Sequence, residues 1–166
     1  MSTAQTIRVL CTGGTIDKAV DNFDTSRNVV GEPQIERILA HSNTRFLYVV
    51  ESICKKDSLA LTEEDRALLL SRVQSCSETK IVITHGTDTA TDSAKLLQSV
   101  EGKTIVFVGA MFPAKFIDSD AAFNVGGAII AVQLLPPGVY LVANGLVLNP
   151  FQVKKSVETL DYQPIK

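Results

Sequence analysis

The chain has 166 residues, a formal net charge of -2, 45% hydrophobic residues and 20% charged ones. That length and balance suit one globular domain with a real core and exclude a disordered chain. The near-neutral charge argues against nucleic acid as a partner, and no apolar run approaches the length of a membrane span, so no membrane association is expected.

The N-terminus, MSTAQTIRVLCT, lacks a basic region followed by an apolar stretch, so no signal peptide is expected. Cys11, Cys54 and Cys76 are odd in number and show no CxxC spacing. They read as reduced, buried thiols of a cytoplasmic protein. His41 and His85 have no cysteine partners near them, so no metal site is expected.

Thr6–Cys11 (TIRVLC) reads as the first strand, with Thr12-Gly13-Gly14-Thr15 directly after it. Paired glycines let a backbone take positive φ and approach a ligand closely. Residues 17–31 are polar and without period. This stretch of about fifteen residues is long for a loop in a compact domain and reads as a lid, with Phe23 as a hydrophobic anchor. Gly31-Glu32-Pro33 opens a helix whose apolar face is Ile35, Ile38 and Leu39. Phe46–Ile53 is a second strand, ending at Lys55-Lys56-Asp57-Ser58-Leu59. Thr62-Glu63-Glu64-Asp65 has the form of a capping box with Asp at its third position, and predicts a helix to about Ser75.

Ile81, Val82 and Ile83 are a β-branched run, the mark of a strand covered on both faces. Ala90, Ala94 and Leu97 follow at helical spacing. Between them, His85-Gly86-Thr87-Asp88-Thr89 is a strand-to-helix turn rich in hydroxyls and carboxylates. Such turns gather at the carboxyl ends of strands, where open α/β sheets bind ligands. A second reading is ordinary capping, since Thr and Asp are favoured N-caps. Thr104–Val108 is a further buried strand, followed by the loop Gly109–Ala114 and a helix over about Asp120–Leu135. Gly126 and Gly127 are expected to bring that helix close to the sheet. Val139–Ala143 and Leu146–Leu148 flank an Asn144-Gly145 hairpin signal, and the tail from Asn149 has no strong period. Strand and helix alternate through most of the chain. The expected fold is α/β: a three-layer, Rossmann-like sandwich with a mainly parallel sheet in a single domain, residues 1–166.

Two hydroxyl-bearing turns therefore stand at strand ends. A threonine hydroxyl becomes nucleophilic only when a neighbouring base takes its proton. His85 suits a base by residue type, or it bonds the backbone of its own turn. Asp88 with a lysine offers a Thr–Lys–Asp relay instead. Lys155 is a candidate because few polar residues share its largely apolar region, and its second reading is a solvated surface charge.

TGGTI at 12–16, ITHGTDT at 83–89 and VGAM-x-P at 108–113, extended by Asp120 and Phe123-Asn124, resemble the bacterial-type L-asparaginases in order and spacing. The resemblance spans essentially the whole chain but only the family's N-terminal domain, and the usual smaller C-terminal domain is expected to be absent. Lys56–Leu59 (KDSL) and Ser119–Gly126 (SDAAFNVG) look like segments of the compact, single-domain asparaginase-like proteins. The resemblance implies an asparaginase N-terminal-domain fold and hydrolysis of the side-chain amide of asparagine or a related small amide, with release of ammonia and no cofactor. It implies that Thr15 is the nucleophile and that Thr87, Asp88 and Lys155 form a second catalytic group. Gly14, Lys56, Asp57, Ser58, Gly86, Thr87, Asp88 and Ala110 would contact substrate, Asp88 through the substrate ammonium. A homo-oligomer, at least a dimer, would close the site.

Two positions depart from the family pattern. Asn28 stands where the family's lid carries a tyrosine. Lys56-Asp57 aligns with a Ser-Gln pair that holds the substrate carboxylate, so the basic Lys56, with Ser58 beside it, replaces neutral donors. Two further readings follow: an amino-acid-binding module with weak or no turnover, and an amidotransferase-type subunit that needs a partner.

Overall fold

The β-branched runs assemble into one sheet in the computed structural model, which describes residues 5–19 and 29–165. Its strands are β1 (Ile7–Gly13), β2 (Tyr48–Lys56), β3 (Lys80–Thr84), β4 (Thr104–Val108), β5 (Gly138–Ala143) and β6 (Leu146–Leu148). They lie in the order β2-β1-β3-β4-β5-β6. Every pairing from β2 to β5 is parallel, and β6 folds back antiparallel through Asn144-Gly145. Both turn residues take positive φ, 53° and 78°, as a two-residue hairpin of matching twist requires.

Both faces of the sheet are covered, which is why its inner strands are apolar without alternation. On one face α1 (Ile35–His41) and α4 (Ala121–Leu134) pack over Val9, Cys11, Val82, Val106 and Val108. On the other, α2 (Glu63–Ser75) and α3 (Ala90–Leu96) pack over Leu10, Ile81, Ile83, Ile105 and Phe107. The result is the expected three-layer α/β sandwich. Helix α2 begins with the full capping box: Thr62 Oγ1 accepts the Asp65 amide, and the Asp65 carboxylate accepts the Thr62 amide at 2.8 Å.

Some boundaries differ from the sequence reading. β1 continues through Gly13 and β2 through Lys56, because their backbones stay paired to the mouth of the sheet. Gly127 does bring α4 against β5, since a Cβ there would lie 3.2 Å from Val142 Cγ1. Gly126 does not, because a Cβ there would meet nothing within 4 Å. Cys11 is buried, whereas Cys54 and Cys76 are only half-buried. The tail carries an antiparallel pair that its sequence did not announce: β7 (Val153–Lys155) and β8 (Tyr162–Pro164). Val153 and Tyr162 anchor it in the core beneath α2 and α3. Phe23 and Asn28, in the stretch read from the sequence as a lid, lie outside the described residues.

Candidate active site

The strand order reverses between β1 and β3, so the crevice at their carboxyl ends is the sheet's topological switch point. Both hydroxyl-bearing turns leave from there. They approach at backbone contact: a Cβ on Gly14 would collide with Cα and N of Gly86. A Cβ on Gly86 would in turn lie 2.5 Å from Ser58 Cβ, and one on Gly13 would lie 2.6 Å from the Lys56 carbonyl. Gly13 and Gly14 have φ of 102° and 87°, where side-chain-bearing residues are strained. The glycines are thus needed twice, for conformation and for space. Gly14 N–H donates to the Lys56 carbonyl at 2.9 Å, and Thr12 Oγ1 donates to the Thr84 carbonyl at 3.0 Å. Three strand ends are bound together around Thr15, which opens a 3-10 turn (Thr15–Asp17) and stays half-exposed.

His85 is buried and fully engaged. Its Nδ1 lies 2.8 Å from the Gly86 carbonyl and its Nε2 2.8 Å from Ser93 Oγ. A carbonyl only accepts, so Nδ1 carries the proton and Nε2 accepts from Ser93. Burial pushes the imidazole down to about 4. His85 therefore braces its turn. Thr89 does not cap α3; its hydroxyl crosses to the Ser58 carbonyl at 2.9 Å and ties the turn to β2.

Thr87 is nearly buried, and its neighbour Asp88 is met by Lys155 from β7, Nζ to Oδ1 2.6 Å. The Lys155 side chain is only 16% exposed. The surface-charge reading of Lys155 thus gives way to an ion pair within the turn. Behind Thr87, a Cβ on Gly109 would lie 3.1 Å from Thr87 Cγ2, so the exit of β4, with the buried Ala110, backs the site. Asp120 accepts the amides of Met111 and Phe112, and Asn124 donates to the Gly109 carbonyl at 3.1 Å. These bonds fix that loop against the start of α4.

At the β2 end the arrangement is mixed. Ser58 Oγ is buried with no hydrogen-bond partner among the described residues. Asp57 accepts the Leu59 amide and pairs with Lys18 at 3.2 Å. Lys56 reaches the site through its backbone, because its ammonium is held by Asp65 at 2.6 Å.

A sequence profile described as "Asparaginase, N-terminal" matches residues 6–162. The chain belongs to the asparaginase family. It is 30% identical over 163 residues to L-asparaginase 2 of Escherichia coli strain K12, across 92% of this chain and 47% of that protein. It is 28% identical over 166 residues to a glutaminase-asparaginase of Acinetobacter glutaminasificans, across 90% of this chain and 49% of that one. The crystal structure of a probable cytoplasmic L-asparaginase from Campylobacter jejuni superposes with a TM-score of 0.81 at 26% identity, covering 96% of this chain and 53% of that one. The chain spans about half the length of the curated relatives it matches.

Three residues of this asparaginase-family site escaped sequence reasoning. Asp17 is 1% exposed; its Oδ1 accepts the Gln34 amide at 2.8 Å, and its Oδ2 has no partner among the described residues. Burial pushes its carboxyl up to about 7. Lys18 pairs with Asp57, and Tyr162 donates to the Thr87 carbonyl at 2.8 Å. Asp17 and Lys18 sat at the start of a loop without period, and Tyr162 in a tail without period. Nothing local marked them. Among the described residues no group of three or more His, Cys, Asp or Glu could hold a metal, and no helix is long and apolar enough to cross a membrane.

Proposed function

We propose that the protein is an asparaginase-like amidohydrolase that cleaves the side-chain amide of asparagine or a related small amide through Thr15. The observation that carries this reading is the Lys155–Asp88 pair beside Thr87, in a turn that abuts the Thr15 turn through Gly14 and Gly86. Thr15 Oγ attacks the amide carbon, its proton passes to the departing nitrogen, and ammonia leaves an acyl ester. Water then cleaves the ester, giving the acid and restoring the hydroxyl. The Thr87–Asp88–Lys155 group manages the proton traffic, as an activated hydroxyl needs a base beside it. Backbone amides at Gly86–Thr87 and the edge near Ala110 would line the amide pocket. Ser58, buried and unpartnered among the described residues, and Asp57 would meet the substrate's polar end, as would Asp88 its ammonium.

The protein would work in the cytoplasm, where half-buried thiols such as Cys54 and Cys76 stay reduced. It would assemble as at least a dimer. A second reading, an amino-acid-binding module, is favoured by Asn28 at the position of the family's lid tyrosine. One assay separates the two: ammonia release from asparagine, glutamine and small amides. The wild-type chain is expected to release ammonia. Thr15→Ala should lower turnover by more than about 100-fold, and Thr15→Ser should keep part of it. Wild-type binding of the amino acid without ammonia would establish the module. Thr15→Ala turning over at the wild-type rate would remove the mechanism.

A further inference from the structure

Lys155 and Tyr162 are register partners across the β7–β8 pair, and together they hold consecutive residues of one turn. Lys155 takes the Asp88 carboxylate at 2.6 Å, and Tyr162 Oη donates to the Thr87 carbonyl at 2.8 Å. We propose that Tyr162 is a positioning residue for the Thr87–Asp88–Lys155 group. Its phenol fixes the Thr87 carbonyl, and so sets where the Thr87 hydroxyl and the Asp88 carboxylate stand against the lysine amine. What that group does chemically rests on the amidohydrolase reading above.

The two halves of the group come from segments far apart in the chain, Asp88 on the β3–α3 turn and Lys155 on β7. A two-stranded ribbon of three residues per strand has little stability alone, so its position must come from anchors. Tyr162 is such an anchor, with its ring buried in the core beside Val153, Leu141 and Ala143. Its hydroxyl is also the direct tie to the turn. Thr87 is 5% exposed, and its buried carbonyl needs a donor. On its other side the turn is backed by the close approach of Gly109. With Tyr162 removed from one side, the carbonyl must find another partner and the turn must shift. Burial pushes the phenol above its ordinary range, so it remains a donor at any working pH.

Tyr162→Phe keeps the ring and deletes the bond. The first readout is steady-state hydrolysis of asparagine. In the variant, kcat should fall about 10- to 100-fold and KM should rise by a smaller factor, because Asp88 also meets the substrate's ammonium. The second is competitive acetylation of Lys155 by acetic anhydride, scored by mass spectrometry against Lys95, an exposed lysine paired with Asp92. Labelling of Lys155 relative to Lys95 should rise in the variant as its grip on Asp88 loosens. A wild-type kcat in Tyr162→Phe overturns the proposal, as does unchanged labelling. A variant that fails to melt cooperatively also overturns it, because the phenol would then be a structural bond. A wild-type chain that releases no ammonia refutes the amidohydrolase reading instead, and the labelling ratio alone then decides the role of Tyr162.

Discussion

Asp17 is a carboxyl in an unusual place, buried one residue past Ile16 with a single amide donor among the described residues, on one oxygen. Its backbone carbonyl accepts the Gly31 amide at 2.8 Å, and Lys18 bridges Val30, so it sits where residues 17–19 and 29–31 close on each other. Burial raises its pKa from 3.8 to about 7. A raised carboxyl binds more protons folded than unfolded, so its contribution is present at low pH and lost as pH rises toward 7. His85 works in the opposite sense. Its pKa is lowered from 6.5 to about 4, so its contribution is full above about 6.5 and lost as pH falls toward 4. In the wild type the two slopes oppose each other. Asp17→Asn should remove one of them, leaving stability that rises with pH between about 4 and 6.5. Relative to wild type, the variant should gain on the order of a few kcal/mol from pH 4.5 to pH 8, read from urea midpoints. A constant difference across that range would mean Asp17 titrates normally.

At the scale of elements, α2 shows how much local sequence can decide. Thr62 and Asp65 cap each other, and the same carboxylate takes the Lys56 ammonium at 2.6 Å. The cap therefore also ties the first turn of α2 to the last residue of β2. Thr62→Ala should cost about 0.5–2 kcal/mol in chemical denaturation while leaving any amide turnover unchanged. A loss of activity in that variant would show that the β2 end transmits strain to the site. The β7–β8 pair is the opposite case. Its short strands carry no turn signal and too few residues for a period, so it exists because Val153 and Tyr162 find a core to enter.

At the scale of the molecule, α4 leaves apolar side chains outside. Phe123 is 68% exposed, Ile130 58% and Leu134 78%, and Leu146 and Val147 of β6 extend the same surface. Together they line a groove of about 680 Å³. Contiguous apolar surface of this kind marks contact with another molecule. The proposed dimer would use this face, since twofold assembly of like chains is the commonest way to cover one. Light scattering at micromolar concentration should give a mass of at least two chains, and Leu134→Glu should return it to one. A monomeric wild type would end the oligomer proposal.

The sequence by itself determined the layered α/β fold and the place of both hydroxyl-bearing turns at strand ends. β-branched runs, helical spacing, a capping box and an Asn-Gly hairpin are local signals, and the TGGT and HGTDT turns sit where such signals change from strand to helix. It also marked Lys155, as one of few polar residues in an apolar region and through resemblance, but a lysine in a tail without period has no local claim on Asp88. Only the tertiary structure decided that the two turns touch at Gly14 and Gly86, and that His85 is spent on Gly86 and Ser93. The tertiary structure also placed Asp17 out of water and brought Tyr162 to Thr87 across the fold. Those facts depend on contacts between residues distant in the chain and on burial, and neither is a property of a sequence window. A buried carboxyl and a buried phenol read, in one dimension, like any other Asp and Tyr until the packed core removes their solvent.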